Sequence, residues 1–185
     1  MRKDLSLSVF EKSNLRNCFD LSSLSAKDRE FFYSALFNYM DEFPFLTVLA
    51  RDLLNTHNKK INIVVKKLDP GTNGYQKWGE IGFSTQLWKS CIRKNDSKNI
   101  AATLWHELMH SIQEDKLMYS YSKRGYMVYR QFIEAEAMSY SNLIMPRCKF
   151  EEKLYKSILK NSSSEFEAQK RYIGVSTMLL LNAYI

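Results

Sequence analysis

Apolar residues recur at three- and four-residue spacing in the segment that follows Ser25, and this period predicts an α-helix. Ser25 is a favourable N-cap for this helix, which covers AKDREFFYSALFNYMDEF. Pro44 then predicts the start of a second helix, FLTVLARDLLNTH. Residues 1–24 are rich in serine and asparagine and only weakly patterned, so we expect an N-terminal arm or irregular lead-in there.

The pattern changes in the middle of the chain. KINIVVKKL is a short β-branched run and predicts a strand, DPGTNG has the residues of a turn, and GEIGFST predicts a second strand. The next segment, TQLWKSCIRK, fits either a loop or a helical turn. Asp96 or Ser97 can then cap a helix that reads KNIAATLWHELMHSIQEDK. A further helix is expected over RQFIEAEAMSYSNLIMP.

Towards the C-terminus, NSSS at residues 161–164 predicts a loop before a last helix from about Glu165. The final segment, VSTMLLLNAYI, is too short to span a bilayer, and we expect it to be buried. Together these elements predict an α+β fold: a helix-rich single domain over residues 25–185 with a small sheet beside the helix that contains the histidines.

Composition agrees with one domain. The chain has 185 residues, of which 45% are hydrophobic and 25% charged, so it can bury one core. Its net charge of +7 is spread along the whole chain and accompanies no nucleic-acid motif, so we interpret it as a solvated basic surface.

Cysteine usage and the termini bear on the compartment. The three cysteines are far apart and form no Cys-x-x-Cys pair, which fits free thiols in a reducing compartment. The first residues lack a signal-peptide pattern, and no apolar run reaches the length of a membrane span. We therefore expect a cytoplasmic protein without a membrane partner, while export without an N-terminal signal stays open.

The chemistry is concentrated in His106-Glu107-Leu108-Met109-His110. Residues four apart lie one turn apart on the same helix face, so His106 and His110 can direct two imidazoles at one ion. Glu107 is offset by one position and can reach a water bound to that ion. This is the H-E-x-x-H arrangement of zinc peptidases, with Glu107 as general base. Apolar neighbours on both sides predict that the helix is buried, and Zn²⁺ would offset the cost of burying these groups.

A catalytic zinc site normally needs a third protein ligand, and no histidine follows His110. Glu134 and Glu136 both lie in an otherwise apolar and small-residue helix, on different faces. Ala137 lies one turn after Glu134 and would allow close approach to the metal helix, whereas Glu136 shares a face with bulkier residues. This argument favours Glu134, and Glu136 remains the alternative.

These residues, followed by Leu143-Ile144-Met145-Pro146, resemble the ImmA/IrrE class of small cytoplasmic zincins. LWHELMHSIQ also resembles phage and mobile-element peptidases with H-E-x-x-H-x-x-Q. The resemblance covers about residues 80–146 and implies gluzincin-like ligands His106, His110 and Glu134, with Glu107 as base. We accordingly predict a zincin-like metallopeptidase domain over residues 25–185. The resemblance also implies a protein or peptide substrate, and GEIGFST would bind it if that strand lies at an edge of the sheet rather than inside.

An oxyanion donor is also expected in such an enzyme, and the stretch between the two helices offers several candidates. They are Tyr119, Tyr121, Tyr126, Tyr129 and Arg130, among which the sequence does not choose. Two other functions fit the same residues. One is a regulatory or binding protein that is stabilised by zinc without turnover, and the other is a zinc hydrolase of a non-peptide substrate.

Overall fold

The computed structural model describes residues 6–56, 60–77, 79–117 and 126–183. Side chains are described throughout these ranges except at residues 56, 114–117 and 126–129. The described residues form eight helices and four strands: α1 Val9–Asn17, β1 Phe19–Asp20, α2 Ala26–Glu42, α3 Phe45–Thr56, β2 Ile61–Lys66, β3 Gly74–Lys77, β4 Glu80–Ser84, α4 Thr85–Lys94, α5 Ser97–Leu117, α6 Tyr126–Ile144, α7 Lys149–Lys160 and α8 Glu165–Ala183.

The expected α+β class is confirmed, since most elements are helices and the strands form one small mixed sheet. The strand order is β1-β2-β4-β3. β2 is parallel to both β1 and β4, and β3 is antiparallel to β4. Ile61, Ile63, Ile81 and Phe83 are all fully buried, so one face of the sheet packs into the core. β3 and β4 contact α5, which places the sheet beside the helix with the histidines.

The edge of the sheet next to α5 is β3, a strand that the sequence did not predict. Gly74–Lys77 contains no alternation of apolar residues, and pairing with β4 is what orders it. The strand GEIGFST, whose position had been left open, lies inside the sheet between β2 and β3. The edge strand beside α5 is therefore β3. Its first residue, Gly74, belongs to the predicted turn DPGTNG, and its other residues follow that turn.

Residues 6–24, the described part of the N-terminal segment, also differ from the irregular arm that was expected. Ser8 and Glu11 form a capping box at the start of α1, with reciprocal side-chain to backbone hydrogen bonds of 3.1 and 2.8 Å. Leu15 and Phe19 are buried in the core, and β1 adds a short strand to the sheet. The segment orders because its few apolar side chains find partners on other elements.

Helix boundaries agree with local capping signals. The Ser25 side chain accepts a hydrogen bond from the Asp28 backbone N–H, as expected for the cap of α2. Asp96 accepts one from the Lys98 backbone N–H at the start of α5. The segment TQLWKSCIRK, which fitted either a loop or a helical turn, forms the ten-residue helix α4. This helix ends at Asn95, whose backbone is in the left-handed conformation with φ 51°.

The final segment, VSTMLLLNAYI, was expected to be buried, and this prediction is wrong for several of its apolar residues. Val175, Met178 and Leu179 are exposed, whereas Ser176 and Thr177 are buried. Thr177 Oγ1 lies 3.0 Å from Ser139 Oγ on α6, so the buried positions of this segment are polar. Within the described ranges, none of the helices combines the length and the apolar character that a bilayer span requires.

Candidate metal centre

Helix α5 carries the two histidines into the interior of the protein. Leu104, Trp105 and Leu108 on this helix are all at most 1% exposed, so α5 packs tightly on several sides. His106 and His110 lie one turn apart on the remaining face, with their Nε2 atoms 3.2 Å apart. Both imidazoles are mostly buried, with side-chain exposures of 17% and 14%. The helical spacing and the packing around it therefore aim two nitrogen donors at one point.

Helix α6 supplies a carboxylate to the same point. The Oε2 atom of Glu134 lies 3.8 Å from His106 Nε2 and 3.6 Å from His110 Nε2. Ala137, one turn after Glu134 in α6, is fully buried, and its small side chain allows α6 to approach α5 closely. The structure thus brings together His106, His110 and Glu134, the three residues that were favoured as ligands.

The three groups could hold a metal ion. Their ligand atoms all lie within 4.8 Å of one another. In a tetrahedral zinc site with bonds of about 2.0–2.2 Å, ligand atoms lie about 3.3–3.6 Å apart. The observed separations of 3.2, 3.6 and 3.8 Å fit that geometry with small adjustments. Two imidazoles and one carboxylate also leave a coordination position open, as catalytic zinc sites do.

Charges in the cluster are coupled. Burial, reinforced by the neighbouring His110, lowers the pKa of His106 to about 4, so this imidazole is neutral near pH 7. Burial alone would also lower the pKa of His110, but the contact with Glu134 and its charge raise it overall. The same contact with His110 holds the pKa of Glu134 below its usual value. The proximity of His110 and Glu134 therefore favours the charged form of each group.

Glu107 is next to the cluster without being part of it. It is 6% exposed, and burial raises its pKa to about 7, with the charge of Glu134 adding to the shift. Strand β3 passes directly over it: a β-carbon at Gly74 would lie 3.1 Å from Glu107 Oε1. A carboxylate with a pKa near neutrality can both accept and return a proton at physiological pH.

Gln113, the last residue of the H-E-x-x-H-x-x-Q pattern, also belongs to this centre, although the sequence alone gave it no role. Its Oε1 atom lies 2.9 Å from His110 Nδ1, and its Nε2 donates to Glu136 Oε2 at 2.9 Å and to the Ile133 carbonyl at 3.3 Å. The available signal was position, because Gln113 lies three residues after His110 and so on the same face of α5. A polar side chain at that position within an otherwise apolar helix indicates a contact with the histidine.

Glu136, the alternative third ligand, faces away from the two histidine Nε2 atoms. It accepts the hydrogen bond from Gln113 and thereby contacts the centre through one intervening side chain. Glu134 and Glu136 are two positions apart, and on a helix that offset turns their side chains in different directions.

The structure describes the side chain of only one of the five candidate oxyanion donors. Tyr119 and Tyr121 lie outside the described residues, and for Tyr126 and Tyr129 only the backbone is described. Arg130 is exposed, and its charge contributes to the low pKa of Glu134. The choice of donor therefore stays a prediction.

Comparisons of this chain with protein-family models, with curated proteins and with solved structures found no match.

Proposed function

We propose that this protein is a zinc-dependent peptidase of zincin type. The observation that supports this most strongly is the convergence of His106, His110 and Glu134 from two helices, with the buried carboxylate of Glu107 beside them. A site that only stabilised the fold would need the three ligands. It would have no use for a further buried acid beside them with a pKa near 7.

In this proposal His106, His110 and Glu134 would hold a zinc ion, which would supply Lewis-acid activation of a water and of the peptide carbonyl. Glu107 would accept the proton from the water that attacks the carbonyl and would deliver it to the leaving amine. Its burial matters here, because the raised pKa matches both halves of this proton transfer.

The position of β3 favours an extended peptide as the substrate. β3 pairs with β4 on one side and is last in the strand order on the other. Gly74 on this strand adjoins Glu107, so a peptide that pairs with β3 would pass close to the general base. Edge strands bind extended peptides through backbone hydrogen bonds, which requires little of the peptide's sequence.

The experiment that tests the proposal is a comparison of the unchanged protein with Glu107→Gln. We expect both to contain about one zinc by elemental analysis, because Glu107 is not a ligand. Self-cleavage on incubation, and new termini in a proteome exposed to the protein, would report activity. Glutamine keeps the shape of glutamate but cannot accept a proton, so cleavage should fall ~10²-fold or more.

Glu30→Gln is a matched control, since Glu30 is an exposed glutamate on α2, outside the metal centre. It should cleave as the unchanged protein does. Equal cleavage by Glu107→Gln would exclude Glu107 as the base. Stoichiometric zinc without cleavage of any protein would favour a zinc-stabilised binding protein, and absence of metal uptake would refute the site itself.

A further inference from the structure

The side chain of Gln113 bridges the two helices of the metal centre. It is 5% exposed and has a hydrogen-bond partner at each end of its amide group. On α5 its Oε1 atom meets His110 Nδ1, and on α6 its Nε2 atom meets both Glu136 Oε2 and the Ile133 carbonyl. Buried amides that satisfy this many partners are held in one orientation.

The partners on α6 determine which end of the amide faces the histidine. A carboxylate and a backbone carbonyl are both acceptors, so the NH₂ group must point at them. Oε1 therefore faces His110 and can only accept, which places a proton on His110 Nδ1. This holds for neutral and protonated His110 alike. The Nε2 atom of a neutral His110 then has its lone pair directed towards His106 and Glu134.

The bridge also explains why an amide suits this position better than an acid. A carboxylate beside His110 would add a second buried negative charge close to Glu134 and Glu107. The neutral amide of Gln113 avoids that charge, while Glu136, one hydrogen bond further out, polarises the amide and strengthens its acceptor oxygen.

We propose that Gln113 is a positioning residue that fixes the tautomer and ring orientation of His110, with Glu136 as its anchor on α6. This inference rests on the metal centre proposed above. Partners of this kind hold a ligating histidine in place before metal arrives, and their loss weakens metal binding although they never touch the ion.

The test measures zinc affinity of the purified full chain by competition with a chromophoric chelator. Gln113→Met keeps the approximate shape of the side chain but removes both hydrogen-bonding ends. We expect its affinity for zinc to fall about tenfold or more. Gln169→Met is the matched control, because Gln169 is fully buried on α8 and bonds to the Phe45 backbone N–H instead. It should lose stability but keep the zinc affinity of the unchanged protein.

A double variant tests the hydrogen-bond direction itself. Gln113→Glu/Glu136→Gln exchanges acid and amide, so that position 113 still accepts from His110 and the amide at 136 becomes the donor between the helices. We expect this variant to bind zinc more tightly than Gln113→Met, because the acceptor for His110 is restored, and less tightly than the unchanged protein, because position 113 now carries a charge. A role in packing alone would not predict such a rescue.

The outcomes separate the two proposals. If the unchanged protein binds no zinc, the metal centre fails and this inference fails with it. If the unchanged protein binds zinc and Gln113→Met binds it equally well, the metal centre stands and the positioning role is refuted. An exchange variant that binds zinc no more tightly than Gln113→Met would refute the hydrogen-bond direction argued here.

Discussion

Gly74 on the edge strand β3 lies against Glu107 on helix α5 more closely than any other residue type would allow. A β-carbon at position 74 would lie 2.6 Å from Thr103 Cγ2 and 3.1 Å from Glu107 Oε1. The first of these distances is shorter than side-chain carbons tolerate. The backbone of β3 can therefore pass this close to Thr103 and Glu107 only because position 74 carries no side chain, and the distance between strand and helix depends on that glycine.

Gly74→Ala should accordingly force β3 and α5 apart. Overpacking of this kind costs about 1–3 kcal/mol, which urea unfolding would measure as a lower midpoint. Gly174→Ala is the control, because a β-carbon at this helical glycine of α8 would contact nothing within 4 Å. It should be neutral or stabilising by up to about 1 kcal/mol, as alanine favours helix. A Gly74→Ala protein as stable as the unchanged one would contradict the close approach.

The identity of the third ligand leads to opposite expectations for two neighbouring acids. Glu134→Ala removes an oxygen from the cluster and should weaken zinc binding by at least ~10-fold. Glu136→Ala should leave binding largely intact, because Gln113 retains the Ile133 carbonyl as an acceptor. Isothermal titration of both variants would decide. The reverse order of affinities would show that α6 is rotated relative to the arrangement described here.

Metal should also stabilise the fold. The ligands come from α5 and α6, so an ion that binds only the native state links two helices of the core. At zinc about 100 times above Kd the expected gain is about 2.7 kcal/mol, visible as a rise in the thermal midpoint that excess EDTA reverses. His110→Ala should abolish the zinc-dependent rise. A midpoint that does not respond to zinc or EDTA would speak against a native-state site.

The contact between Glu11 and Arg51 predicts a pH-dependent contribution from α1. The Arg51 Nε atom donates to Glu11 Oε1 at 2.8 Å, and this bond lowers the pKa of Glu11 from 4.5 to about 2. A carboxyl whose pKa is lower in the folded state stabilises the fold above its unfolded pKa. That contribution is present above about pH 4.5 and disappears as the pH falls towards 2.

Glu11→Gln should thus cost at most about 1 kcal/mol at pH 7, since the pair is about one-third exposed and screened by solvent. The difference between variant and unchanged protein should shrink steadily in urea titrations between pH 5 and pH 3. A difference that is constant with pH would mean that the carboxylate charge has no part in holding α1 to α3.

The parts of this protein that the sequence determined by itself are those governed by neighbours along the chain. Ser25 caps α2 because its side chain reaches the Asp28 backbone N–H three residues on. His106 and His110 meet because 3.6 residues make one helical turn. Neither relationship depends on the rest of the fold, and both were predicted from spacing alone.

Tertiary structure decided the rest, because the partners concerned are distant in sequence. Ordering of β3 needs β4, and the closeness of Gly74 to Glu107 needs the sheet to pack on α5. Whether Glu134 or Glu136 faces the histidines depends on the rotation of α6 about its own axis, which packing against α5 and α8 sets. Local spacing shows that the two acids point in different directions, but only the packed helices determine which direction leads to the metal centre.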